Sequence, residues 1–315
     1  MRSILALASL LLALPAHALV EFDWVSVTDP GNAADDTGFG SVSTSYEIAR
    51  FETTNVQYAE FLNAVASTDA NGLYHDSMGS DTQNGGITRV GSPGSFSYTA
   101  KTGFADKPVI YVSFYDALRF ANWLHNGQPT GAQGNSTTED GAYTITAAGI
   151  LDNSIRRAPG STFQLPNENE WYKAAYYASG SGYFAYPAGT SALISCASPG
   201  AASNTANCGF AVNRISDVGS YTASASPAGT FDQGGNVWEW IEDQYLAPGR
   251  VMRGGSFIDD PEVLDATERI GFLPTNQVDT VGFRVIRSAP EPGLGMQLGV
   301  MLCAVAALGR RSARR

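Results

Sequence analysis

Apolar positions along this chain come in short groups whose period changes from segment to segment. Phe22, Trp24, Val25 and Val27 form one cluster, and Tyr46-Glu47-Ile48-Ala49-Arg50-Phe51 alternates with period two, as a strand with one buried face does. Between them, Asp29-Pro30-Gly31-Asn32 is turn chemistry. A helix is expected after Thr54, with Gln57 placed to close a capping box and Val56, Phe61, Leu62 and Val65 on its buried stripe. A second is expected after Ser113, with Asp116 in the equivalent place, Leu118, Phe120, Trp123 and Leu124 inward, and Gly127 just past its end. A third follows Asn167, with Glu170 completing the box and Trp171, Ala174, Ala175 and Tyr176 packing inward. Residues 67–106 and 127–162 are polar and glycine-rich with no sustained period, and read as surface excursions. From about residue 205 the pattern is one of short strands, at 217–221, around Trp238–Trp240, at 251–253 and at 281–286, and no segment repeats another.

The two ends read differently. Residues 1–18 carry Arg2, an apolar run from Ile4 to Leu14 and Ala16-His17-Ala18, the pattern of a secretory signal peptide, too short for a comfortable membrane span. At the other end Pro290-Glu291-Pro292 precedes an apolar, Gly/Ala-rich run from Gly293 to Leu308 and a cluster of arginines. Positive charge beyond a short hydrophobic stretch would keep those arginines in the cytoplasm. The expected division is a signal peptide over 1–18, one domain over 19–288 and a sorting or anchor segment over 289–315.

Composition narrows the class. The chain is 43% apolar, enough for a substantial core, but only 16% charged and rich in glycine, which suits a loop-rich domain better than a helical bundle. With Arg2 and the four tail arginines set aside, 14 of the 19 basic residues remain against 30 acidic ones, a body near −16. Such a surface repels nucleic acid and anionic membranes. Of the three cysteines, Cys196 and Cys208 share one Gly/Ser/Asn-rich loop, which in an oxidising compartment is most simply a local disulfide; two free thiols are the alternative.

The densest chemistry lies in Phe231-Asp232-Gln233-Gly234-Gly235-Asn236-Val237-Trp238-Glu239-Trp240. Asp232 and Glu239 bracket a glycine turn, and with the carbonyls of Gly235 and Val237 they make a set of hard oxygen ligands of the kind calcium selects. The plainer reading is a tight turn leading into a strand, with the tryptophans in the core and Glu239 in a salt bridge.

Five ordered motifs add a family. Val112-Ser113-Phe114-Tyr115-Asp116-Ala117, Leu165-Pro166-Asn167-Glu168-Asn169-Glu170-Trp171, the Asp232–Trp240 stretch, Arg253-Gly254-Gly255-Ser256-Phe257 and Gly282-Phe283-Arg284-Val285 together resemble the formylglycine-generating, or sulfatase-modifying-factor, family over roughly residues 22–288. The resemblance implies an α+β fold, irregular, loop-rich and C-type-lectin-like, with short antiparallel strands and about three helices. It also implies that Asn204 opens a second calcium site. In that family copper is held by two cysteines after the Gly-Gly-Ser motif. Here those positions fall at about Asp259 and near Leu264, and no cysteine lies between Cys208 and Cys303. Copper(I) wants thiolates, so the family's copper chemistry is not expected. A related branch, the sulfoxide synthases of thiohistidine biosynthesis, uses three histidines; only His75 and His125 lie beyond the signal peptide.

Two functions are therefore expected as alternatives. One is a non-catalytic module on a calcium-stabilised scaffold, with a groove near Trp238, Arg253, Ser256 and Arg284 that binds a peptide, a glycan or an exopolysaccharide component. The other is an oxidoreductase with a rewired carboxylate site at Asp259, Asp260, Glu262 and Asp265. The tail resembles the PEP-CTERM sorting segment that exosortases process in Gram-negative bacteria, which implies export and transient membrane anchoring.

Overall fold

A computed structural model describes residues 19–289 of the chain; the expected signal peptide and the sorting segment from residue 290 onward lie outside them. Three helices begin where the caps predict. α1 (Asn55–Val65), α3 (Phe114–His125) and α5 (Glu168–Tyr176) each open on a complete capping box, formed by Thr54 with Gln57, Ser113 with Asp116 and Asn167 with Glu170. Each box satisfies two N–H groups that a helix start otherwise leaves unpaired. At the end of α3, Gly127 takes φ +81°, the left-handed conformation that stops a helix. The stripe of α1 is as expected except for Val56, which sits in the first turn and is 41% exposed.

Two short helices, α2 (Ser77–Ser80) and α4 (Ala147–Leu151), lie inside the two segments expected to be surface excursions. Those segments are corrected. Residues 67–106 carry an antiparallel hairpin, Ile87–Val90 against Ser97–Ala100, and Leu73, Met78, Ile87 and Tyr98 are buried in the main core. Residues 127–162 bury Tyr143, Ile145 and Ile155 in the same core.

Two four-stranded sheets frame the site. In the first, Trp24–Val27, Tyr46–Ala49, Ile286–Ser288 and Phe163–Gln164 are neighbours in that order and antiparallel throughout. The second runs Ile270–Phe272, Arg250–Arg253, Trp238–Gln244, Val281–Gly282, and only its last pair is parallel. The strand Trp238–Gln244 lies in the middle of this sheet, with Glu239 opposite Arg253 on one side and Gly282 on the other. Because a strand alternates its faces, Trp238 and Trp240 enter the main core while Glu239 and Ile241 turn towards α5. That alternation is what places a carboxylate inside the protein.

Candidate functional site

The turn before this strand is built from residues held in left-handed backbone conformation. Asp232, Gly235 and Asn236 have φ of +59°, +82° and +61°. A Cβ on Gly235 would meet the Asn207 carbonyl oxygen at 2.4 Å, so only glycine fits there. Its N–H donates to the Gly254 carbonyl at 2.8 Å, tying the turn to the Arg253-Gly254-Gly255-Ser256 segment. Asn236 then joins three loops: its Oδ1 accepts from the Ser216 N–H at 2.9 Å, and its Nδ2 donates to Glu52 Oε1 at 3.0 Å.

Glu239 is wholly enclosed. Arg284 Nη2 reaches its Oε1 at 2.6 Å, while Arg284 Nε and Trp171 Nε1 both reach its Oε2 at 2.7 Å. The rest of the guanidinium donates to the carbonyls of Ala49, Arg50 and Phe231. Such a planar fork matches a carboxylate in two bonds at once. Glu239 is thus half of a buried ion pair, as the plainer reading has it, and both of its oxygens accept from protein donors. Val237 is buried beside Ile110, Ile215 and Phe257.

The other acids around Arg284 are less well matched. Asp232 accepts the Gly219 N–H at 2.6 Å, and burial pushes its carboxyl up to about 6. Burial and the facing Asp232 push Glu52 well above the usual carboxylate range, and among the described residues Glu52 Oε2 has no hydrogen-bond partner. Three carboxylates thus face one guanidinium. Asp232 also borders, with Thr205, Tyr221 and Ser224, a cavity of about 10 Å³, room for one water-sized atom. One residue from Thr205, Asn204 donates its Nδ2 to the Leu193 carbonyl at 2.8 Å and leaves its buried Oδ1 without a donor. The amide's orientation is fixed by that donation, so the bare oxygen is a true acceptor, though Asn204 is not among the residues that line the Asp232 cavity.

The expected ligand groove is also corrected. Trp238 is 6% exposed, and Arg253, Ser256 and Arg284 are fully buried. Arg253 Nε donates to Glu168 at 2.8 Å, Arg269 brackets the same carboxylate, and the Arg253 guanidinium lies over the rings of Phe39 and Tyr172. Ser256 donates to Asp259. These side chains hold the fold and line no open groove.

At the positions that correspond to the family's copper ligands, Leu264 is fully buried among Tyr186, Ile194, Ala206 and Cys208. Asp259 accepts from the Ser256 N–H at 2.9 Å and its hydroxyl at 2.5 Å. Asp265 likewise accepts from Thr267, while Asp260 and Glu262 point outward. The acidic run closes its own turns, and among the described residues no three His, Cys, Asp or Glu side chains are grouped to hold a metal ion. Cys196 and Cys208 are joined as a disulfide packed in the Leu264 cluster. His75, half-buried, stacks on Tyr111 with ring centres 5.5 Å apart, and His125 Nδ1 accepts the Thr162 N–H at 3.1 Å; the two are on separate elements.

The sequence profile of the sulfatase-modifying factor enzyme 1-like domain matches residues 31–289. Among characterised proteins, the inactive C-alpha-formylglycine-generating enzyme 2 of Mus musculus is 39% identical over 193 residues, covering 59% of this chain and 50% of its own. Its counterpart in Bos taurus is 28% identical over 193 residues, covering 59% and 52%. Hercynine oxygenase of Mycobacterium tuberculosis is 25% identical over 250 residues, covering 70% of this chain and 47% of its own. The chain spans about half the length of these relatives. Two solved structures share the fold: CarF, with TM-score 0.54 at 20% identity over 86% of this chain and 99% of its own, and Treponema denticola variable protein 1, with TM-score 0.51 at 17% identity over 86% and 97%.

Proposed function

The chain belongs to the sulfatase-modifying factor enzyme 1-like family, and from that membership we propose that it is a ligand-binding member without the copper-dependent oxidation of cysteine to formylglycine. The observation that carries this reading is the state of the two former ligand positions: a fully buried Leu264 and an Asp259 engaged by Ser256. Neither side chain offers a soft donor, and the disulfide beside them holds no thiolate. What remains is a rigid scaffold that presents loops, on which a peptide, glycan or exopolysaccharide component binds. An intact disulfide in a domain this acidic suits a protein exported from the cytoplasm, with the C-terminal segment as its sorting signal.

A calcium ion belongs to this reading as a structural part. Asp232 supplies a carboxylate oxygen for it, Gly235 and Val237 only backbone carbonyls, and Glu239 none, while Asn204, with its bare Oδ1, would open a second site of its own. Its contribution is to offset the excess of carboxylates around Arg284 and to fix the 204–207 loop against 219–224.

Incubation with copper and a cysteine-containing substrate peptide, under oxidising and reducing conditions, tests the main claim. Unmodified peptide by mass spectrometry and no stoichiometric copper after desalting are expected. Aldehyde-bearing peptide or retained copper would overturn it. For calcium, chelation should lower the melting temperature of the native protein and leave an Asp232→Asn variant unmoved. An unchanged wild-type melting temperature removes calcium from the scheme.

A further inference from the structure

A cleft of about 370 Å³ opens between the loops at 103–107, 199 and 212–220 and shares no lining residue with the buried Glu239–Arg284 pair; the stretch 217–221, expected as a short strand, runs along it as loop. Its volume is in the range of small-molecule sites, roughly 300–1,000 Å³. Phe104, Pro199 and Val212 give it ring and aliphatic walls, and two cations, Lys107 and Arg214, stand at it. Cations are scarce in this acidic chain, and nearly all of those among the described residues are engaged. Among the described Lys and Arg side chains every one except Arg214 donates to a protein oxygen. Arg214 is exposed, and its backbone carbonyl is pinned by Asn207 Nδ2 at 2.9 Å, so an uncommitted guanidinium projects from a fixed point. A second polar group is also left open: Ser220 lines the cleft, and its buried Oγ has no hydrogen-bond partner among the described residues.

We propose that this cleft binds a uronate unit of an acidic saccharide, with the sugar carboxylate on Arg214 and Lys107, a ring hydroxyl on Ser220 and the carbon face of the ring against Phe104. The inference rests on the ligand-binding reading above and names the ligand class. A carboxylate suits Arg214 because the guanidinium fork accepts it in two bonds. A saccharide suits the rest better than a peptide does. Peptides that bind in extended form add a strand to a sheet edge, and the lining residues are all loop, with no strand edge to extend. Asp217 now holds Lys107 at 2.7 Å while its own carboxylate is 58% exposed, so it acts as a place-holder that competes with the ligand's charge.

The test is a titration of the native full chain with digalacturonate, followed by calorimetry or NMR, with neutral digalactose and a hexaglutamate peptide as comparison ligands. Saturable binding of digalacturonate that weakens about tenfold or more in R214Q is expected, as for loss of a charge-assisted bidentate contact, together with tighter binding in D217N and none of digalactose. Arg214 has no protein partner among the described residues, so R214Q should melt with the wild type, which separates lost binding from lost folding. No saturable digalacturonate signal, equal affinity in R214Q, or preference for hexaglutamate would each overturn the proposal. Copper retention and aldehyde formation, measured on the same preparations, report on the non-catalytic reading separately, so the failure of either is recognised on its own.

Discussion

Arg284 sits where a cation was expected, and that one residue decides how Glu239 must be read. An arginine 45 positions away in sequence and a calcium ion satisfy the same carboxylate, and the spacing from Asp232 to Glu239 does not tell them apart. The plainer reading of the sequence places Glu239 in a salt bridge, and only the fold identifies Arg284 as its partner. The structure makes a definite energetic claim here, because breaking a buried pair leaves a charge without compensation, whereas replacing both partners with apolar groups removes the desolvation penalty as well. Glu239→Ala and Arg284→Ala should each cost about 3–5 kcal/mol in denaturant unfolding. Glu239→Met combined with Arg284→Met should cost clearly less than the sum of those two. Additive single losses would mean that the pair is not coupled. Arg214 shows the reverse limit of sequence reading: nothing in its neighbourhood marks it, since its significance is that no partner exists for it among the described residues.

At the scale of elements, the three capped helices were legible because a capping box is a contact between residues three apart, complete within the local sequence. The hairpin of 87–100 was not legible. Only Ile87 and Tyr98 of its two strands are buried, so four-residue runs give too little alternation to register, and what holds it is tertiary, including Arg89 lying between the rings of Tyr74 and Phe96 at 4.5 and 4.6 Å. One cap also carries a pH signature. Asp116 is buried beneath Ser113 and Gln277 with Arg119 at 3.9 Å, and burial pushes its carboxyl up to about 6. Its folded value lies above its unfolded one, so the folded state holds the extra proton. The stability this gives is full below about pH 4 and is lost as pH rises to about 6, by an amount on the order of 3 kcal/mol. Asp116→Asn keeps an acceptor for the Ser113 N–H and cannot ionise, so the wild type should lose stability relative to it between pH 4 and 6.5. Parallel curves in thermal melts at those pH values would contradict the assignment. The Cys196–Cys208 bridge is the element most simply read from the sequence. Its 12-residue separation leads to a loss of about 2–3 kcal/mol on reduction in the chain-entropy model, read as a lower melting temperature with reductant.

The described domain, taken whole, is closed by its last strand. Ile286–Ser288, the last described strand, lies inside the first sheet, between Tyr46–Ala49 and Phe163–Gln164, and just upstream of it Phe283 and Val285 enter the main core. The same short segment carries Arg284, whose donations to Ala49, Arg50, Phe231 and Glu239 tie the first sheet to the second. Neither pairing could be read from periodicity, because three-residue strands have almost no period and their partners lie some 120 to 240 positions away. The consequence is cooperativity: the domain cannot shed its C-terminal strand and keep the rest, because an interior strand leaves two edges and a buried acid unpaired at once. A chain stopped after Gly282 should therefore show no cooperative thermal transition, while one stopped after Ala289 should melt sharply. If the shorter chain also melts in a single sharp step, the two sheets are independent units, and the ion pair between Glu239 and Arg284 does not join them.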